Sequence, residues 1–153
     1  MTYLMVAPNG ARKTKVDHPS LPVTSPELVQ TALACWQAGA QGLHAHIRNT
    51  DQSHLLDAGR YRELLVLLKE TVPDLEIQVT TEAAGTYQAP EQRQLVLDLC
   101  PEWISLSVRE MAREPDKKIV QDFYTEVAQR EIRIQHILYD ADDLRHLFEW
   151  IDQ

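Results

Sequence analysis

Short apolar, strand-like segments alternate with helix-like ones along the whole chain, and this rhythm limits the fold more than any other feature. Tyr3–Ala7 is an apolar run closed by the turn signal Pro8-Asn9-Gly10. A loop follows to Thr24. Ser25, Pro26 and Glu27 predict a helix start, with serine as N-cap, proline in the first turn and an acid near the positive end of the helix dipole. Leu28, Val29, Ala32, Leu33 and Trp36 recur at helical spacing, and Gly39 is the stop. Further strands are expected at Gly42–Arg48, Glu76–Glu82, Trp103–Glu110 and Ile132–Tyr139. Helices are expected at Gly59–Glu70, Pro90–Cys100, Lys118–Gln129 and Asp142–Ile151, with a polar loop running up to Ala58. Five units in 153 residues average about 31 residues each, the size of one βα step. This length fits a single domain, residues 1–153.

Two α/β architectures compete for such a pattern: a doubly wound, flavodoxin-like sheet and a (β/α)8 barrel of TIM type. Doubly wound strands are covered on both faces and read as nearly continuous apolar runs. Here the strands alternate. His44, His46 and Arg48 fall on one face, opposite Leu43, Ala45 and Ile47. Gln78, Thr80 and Glu82 oppose Ile77 and Val79; Ser105, Ser107 and Arg109 oppose Ile104, Leu106 and Val108. Polar faces that thicken towards the strand C-termini suit the mouth of a barrel. A full barrel needs roughly 250 residues, so this chain represents an incomplete one of about five βα units.

Composition narrows the partners. The net charge of −8 argues against nucleic-acid and anionic-membrane surfaces. The longest aliphatic run, Leu64–Leu68, is far short of the roughly 20 residues of a membrane span. The N-terminus has no basic stretch before its apolar segment, unlike a signal peptide. Cys35 and Cys100 each fall in an apolar helical pattern and are expected as reduced core residues, which fits a cytoplasmic protein.

The sharpest chemical feature is His44-Ala45-His46. On a strand, residues i and i+2 point the same way, so two imidazoles can converge on one metal ion. The same motif also fits two satisfied, partly buried histidines. A metal site needs further ligands, and Glu82, Glu110 and His18 are the candidates. His54 and His146 read as solvated side chains, and His136 as packed under a helix. Arg12, Lys13 and Lys15 follow the first strand and could take a carboxylate or a cofactor phosphate. Thr80, Thr81, Ser105 and Ser107 are strand-end hydroxyls that could orient a substrate. No glycine-rich phosphate loop, nucleophile elbow or nucleophilic cysteine is apparent.

Several segments carry a resemblance. APNGAR (7–12), DHPSLPVT (17–24), ACWQAGA (34–40), LHAHIR (43–48), IQVTTEAAG (77–85) and PEWISLSVRE (101–110) together resemble the β-keto acid cleavage enzyme family, of the 3-keto-5-aminohexanoate cleavage enzyme type. The resemblance runs in order over most of the chain, as the N-terminal portion of the family's barrel. It implies a zinc-bearing (β/α)8 barrel, usually a homo-oligomer. Such an enzyme takes a β-keto acid and acetyl-CoA and gives acetoacetate and a new CoA thioester. It further implies that His44 and His46 are zinc ligands and that Thr80 and Ser105 lie near the substrate. With them, Arg12, Glu82, Ser107 and Glu110 complete the expected substrate-binding set. Arg12 stands where the described enzyme has a glutamate for its substrate's amine, and so suits an acidic or neutral tail. Thr81-Glu82 replaces a glycine pair and brings a carboxylate. The family's third zinc ligand and its base lie on later strands, outside this chain. Two alternatives stay open: a metal-dependent hydrolase using His44, His46 and Glu82, and a catalytically incomplete fragment or binding domain.

Overall fold

The computed structural model describes residues 2–151, and the chain divides into two compact units, Met1–Thr80 and Thr81–Gln153. In the first unit the order is β1 (Met5–Val6), α1 (Ser25–Gln37), β2 (Gly42–Ala45), β3 (Ile47–Arg48), β4 (His54–Leu55), α2 (Ala58–Thr71) and β5 (Glu76–Thr80). β1 pairs with β2 and β2 with β5, both in parallel, placing Met5 beside Gly42 and His44 beside Gln78. Gly42 leaves room for the Tyr3 side chain: a Cβ there would lie 2.4 Å from the Tyr3 hydroxyl oxygen, so Tyr3, which donates to Glu76 Oε2 at 2.6 Å, would have to shift. Leu28, Ala32, Leu43, Ala45, Leu64, Leu68 and Val79 form the buried interior. Tyr61, fully buried, donates its hydroxyl to the Ala45 carbonyl at 3.2 Å and so ties α2 to the end of β2.

Helix α1 begins one residue earlier than expected. Thr24, not Ser25, is the N-cap, because Thr24 and Glu27 have the three-residue spacing of a capping box. Thr24 Oγ1 accepts from the Glu27 amide, and the Glu27 carboxylate accepts from the Thr24 amide. Lys15 Nζ lies 2.7 Å from the same carboxylate.

The expected strand Gly42–Arg48 breaks at His46. Ile47–Arg48 leave β2 and pair antiparallel with His54–Leu55, a strand inside the stretch expected to be a loop. The cause is Arg48, only 5% exposed. Its guanidinium donates to the carbonyls of Gly10 (2.6 Å), Lys13 (2.9 Å), Asn9 (3.2 Å) and Gln52 (2.5 Å). These acceptors on two loops draw the chain away from the line of β2.

The second unit contains α3 (Ala89–Leu99), β6 (Trp103–Ser107), α4 (Val108–Met111), α5 (Lys117–Gln129), β7 (Arg133–Ile137) and α6 (Ala141–Ile151). β6 and β7 pair in parallel, from Trp103 beside Arg133 to Ser107 beside Ile137. The strand expected to reach Glu110 stops at Ser107, whose hydroxyl caps α4 by accepting from the Glu110 amide at 3.3 Å. Arg109 therefore does not share a strand face with Ser105 and Ser107. It pairs with Asp140 at 2.5 Å and Asp143 at 3.3 Å, and its guanidinium lies over the Tyr139 ring.

Both cysteines are free, but neither is a core residue: Cys35 is half-buried and Cys100 exposed. Cys100 closes α3 in the left-handed region at φ 50°, outside the helical face that its apolar neighbours bury. His136 stacks on Tyr124 of α5 with ring centroids 5.6 Å apart, packed under a helix as expected. α6 buries Leu147 and Trp150 while leaving Leu144, Phe148 and Ile151 exposed as a second apolar stripe. No described helix is long and apolar enough to cross a membrane.

The capping box has a pH signature. The Lys15 ammonium and the Thr24 amide hold the Glu27 carboxyl down at about 2, against an ordinary 4.5. A depressed folded value means that Glu27 stabilises the fold fully above about 4.5 and that this contribution is lost as pH falls towards 2. Thermal melts between pH 6 and pH 2 are expected to show a smaller acid loss in E27Q than in the parent. T24A is expected to cost about 1 kcal/mol in urea unfolding at neutral pH.

Candidate functional site

Parallel pairing of β2 with β5 puts His44 and Gln78 in register on one face. The two side chains meet: His44 Nδ1 lies 2.7 Å from Gln78 Oε1. His44 Nε2 then points at His46 Nε2, 2.9 Å away, with the rings edge-on and their centroids 4.8 Å apart. His46 sits at the break after β2, held there because Asn9 Nδ2 donates to its carbonyl at 2.9 Å and to that of Pro22 at 3.1 Å. Two Nε2 atoms this close, on adjacent arms, have the arrangement of two ligands facing one ion, for which tetrahedral zinc would set them roughly 3.3 Å apart.

Electrostatics keep both rings neutral. Burial pushes His44 below its usual value, partly offset by the Gln78 bond. His46 is pushed down to about 2, mainly by burial and further by its neighbours His44, His54 and Arg48. Neutral imidazole is the form that binds a metal. His46 Nδ1 is buried without a hydrogen-bond partner. His54, expected to be solvated, is instead 7% exposed and packs its ring 5.4 Å from that of His46. The correction follows from β4: pairing with Arg48 draws a residue from a polar stretch into the interior. His46 also lines a pocket of the first unit, together with Asn9, Ser25, Thr50, Arg60 and Glu63.

The remaining expected residues are scattered more widely. Arg12 is exposed on the loop after β1. Lys13 pairs loosely with Asp17, and Lys15 with Glu27. His18 braces that loop by accepting from the Ser20 amide at 3.3 Å. Thr80 is buried at the end of β5. In the second unit, Glu82 is half-buried just past the strand. Ser105 is 3% exposed, and its carbonyl accepts from the Thr81 hydroxyl at 2.8 Å. Ser107 is 6% exposed and caps α4.

Glu110 has a structural task that the sequence pattern does not suggest. Its Oε2 accepts from the Ala83 amide at 3.0 Å and from Gln92 Nε2 at 2.7 Å. Gln92, fully buried, also donates to the Thr81 carbonyl at 2.6 Å. Together they brace the segment 81–85, where Ala84 and Gly85 adopt positive φ. The only local sign of Gln92 is an uncharged polar residue on the apolar face of α3. Among the described residues, no group of three His, Cys, Asp or Glu side chains gathers in a way that could hold a metal.

The profile of the beta-keto acid cleavage enzyme family matches residues 2–153. The chain belongs to this family. A 3-oxoadipate:acetyl-CoA acetyltransferase of Cupriavidus necator is 32% identical over 104 residues, covering 68% of this chain and 36% of that protein. A 3-keto-5-aminohexanoate cleavage enzyme of Acetoanaerobium sticklandii is 35% identical over 97 residues, 63% of this chain and 35% of that one. The chain thus spans about a third of the length of these curated relatives. Among solved structures, the binary complex of ObcA with oxaloacetate superposes with a TM-score of 0.66 at 16% identity, covering 86% of this chain and 34% of that one. The fold is α/β of the (β/α)8 TIM-barrel type, with about five βα units present.

The Glu110 brace predicts a stability effect. Q92L leaves the Thr81 carbonyl and one Glu110 lone pair without their donor. It is expected to cost about 1–3 kcal/mol in urea unfolding, the range for a buried group left unsatisfied. Exposed Q94L is expected to stay within about 0.5 kcal/mol.

Proposed function

We propose that residues 1–153 form a single N-terminal part of a (β/α)8 barrel and carry part of the site of a β-keto acid cleavage enzyme. The reaction class is retro-Claisen acyl transfer: a β-keto acid and acetyl-CoA give acetoacetate and a CoA thioester. Family membership and relatives named for acetyl-CoA-dependent transfer support this reading. The observation that carries it is the convergence of two neutral imidazoles, His46 buried and His44 half-buried, with Nε2 atoms 2.9 Å apart, at the end of β2.

In this proposal His44 and His46 hold zinc, and the third ligand and the base come from residues beyond these. Bound zinc would supply a Lewis acid that offsets the negative charge developing on the β-keto oxygen as the C–C bond breaks. The chain's own residues bind and orient. Thr80, Ser105 and Ser107 are proposed as hydroxyl contacts to substrate, and Glu82 as a carboxylate contact. Glu110 acts through the shape of segment 81–85, since its Oε2 is taken by Ala83 and Gln92. Arg12 is exposed and cationic, and is proposed to receive an acidic substrate tail. The Cupriavidus relative is named for 3-oxoadipate, whose second carboxylate is such a tail. The working form is proposed to be a homo-oligomer in the cytoplasm.

A second reading, a catalytically incomplete binding domain, is favoured by the lack of a third ligand grouped with two others among the described residues. Elemental analysis of the purified chain separates the two. Near one zinc per chain, lost in the H44A/H46A double variant, is expected. Acetyl-CoA-dependent cleavage of 3-oxoadipate by that zinc-loaded protein is the second readout. Absence of zinc from the parent chain would remove the metal role of the pair in this chain.

A further inference from the structure

Gln78 is 1% exposed, sits on β5 directly opposite His44, and is two residues in from Thr80, the strand's last buried position. Its Oε1, a carbonyl oxygen, can only accept a hydrogen bond. The 2.7 Å contact therefore requires the proton on His44 Nδ1, and in the neutral ring this leaves the Nε2 lone pair bare. His46 Nε2 lies 2.9 Å from that bare nitrogen. Two lone pairs cannot bond, so His46 Nε2 carries the proton and donates it to His44. His46 Nδ1 is then an unprotonated nitrogen, and it is the one that stands buried without a partner. One amide side chain thus dictates the proton positions on both rings.

We propose that Gln78 is a positioning residue that fixes His44 as the Nδ1–H tautomer, so that His44 is the pre-set arm of the pair and His46 the arm that must rearrange when a cation enters. The inference rests on the reading of His44 and His46 as a metal pair only in its last clause. On binding, His46 gives up the Nε2 proton and takes one at Nδ1 through solvent exchange, with no net proton released. His44 changes nothing. Orienting partners of this kind typically alter metal affinity 10–100-fold.

The test is long-range 1H–15N correlation of the histidine rings in the metal-free chain. The expected result is an Nδ1–H pattern for His44 and an Nε2–H pattern for His46. Q78L is expected to lose the single-tautomer pattern at His44, and Q78E, which can still accept, to retain it. A parent-like cooperative urea-unfolding transition, together with unchanged Tyr61 ring signals from the first unit, reports that each variant is folded. A parent chain with His44 protonated at Nε2, or a folded Q78L with the parent pattern, overturns the proposal. Zinc competition against a chelator is the second measurement: Q78L is expected to bind roughly 10–100-fold more weakly than the parent. Equal zinc affinity in parent and Q78L would overturn the positioning role in metal binding. A parent chain that binds no zinc overturns the metal reading of the pair, while the tautomer result alone then decides the role of Gln78.

Discussion

A single buried guanidinium organises the first unit. Arg48 has five donors in a rigid fork, and the bonds described above carry them to main-chain carbonyls of the loop after β1 and of the turn before β4. An isolated buried charge would be strongly unfavourable, and each charge-assisted bond recovers roughly 1.5–3 kcal/mol. The geometry that satisfies Arg48 also ends β2, turns Ile47–Arg48 towards β4 and buries His54. Asn9, on the same loop, then pins the His46 carbonyl. The position of His46 relative to His44 is therefore set from outside the strand that carries them both.

The histidine pair gains its chemical character from this placement. On an uninterrupted strand, i and i+2 side chains stand side by side and roughly parallel. The break at His46 instead lets the rings meet edge-on, with nitrogens facing. Burial then keeps both uncharged, and two neutral rings that share one proton between them can sit at hydrogen-bond distance, whereas two imidazolium ions could not.

Much of this architecture is legible in local sequence. Hydrophobic periodicity places five βα units with boundaries mostly within two residues, and His44-Ala45-His46 is visible as a pair on one strand face. Alternation, however, does not report where a strand stops. Ser105-Leu106-Ser107-Val108-Arg109 alternates throughout, yet a serine cap converts its end into a helix. The burial of His54 depends on pairing with Arg48, and the Gln78–His44 bond depends on the β2–β5 register, neither of which any local window contains. The Gln92–Glu110 brace joins residues 18 positions apart on two helices, α3 and α4. The misplacement of Cys100 has the opposite origin: the apolar pattern continues to the last turn of α3, but the cap itself faces out.

The Arg48 bonds to Asn9, Gly10, Lys13 and Gln52 all end on main-chain carbonyls, and this separates two kinds of constraint on the loop after β1. Carbonyl oxygens are the same whatever side chain is attached, so a change at Arg12 leaves every anchoring bond in place. The side chain at that position is thereby uncoupled from the bonds that hold the scaffold, which leaves it open to carry whatever chemistry the loop presents to solvent.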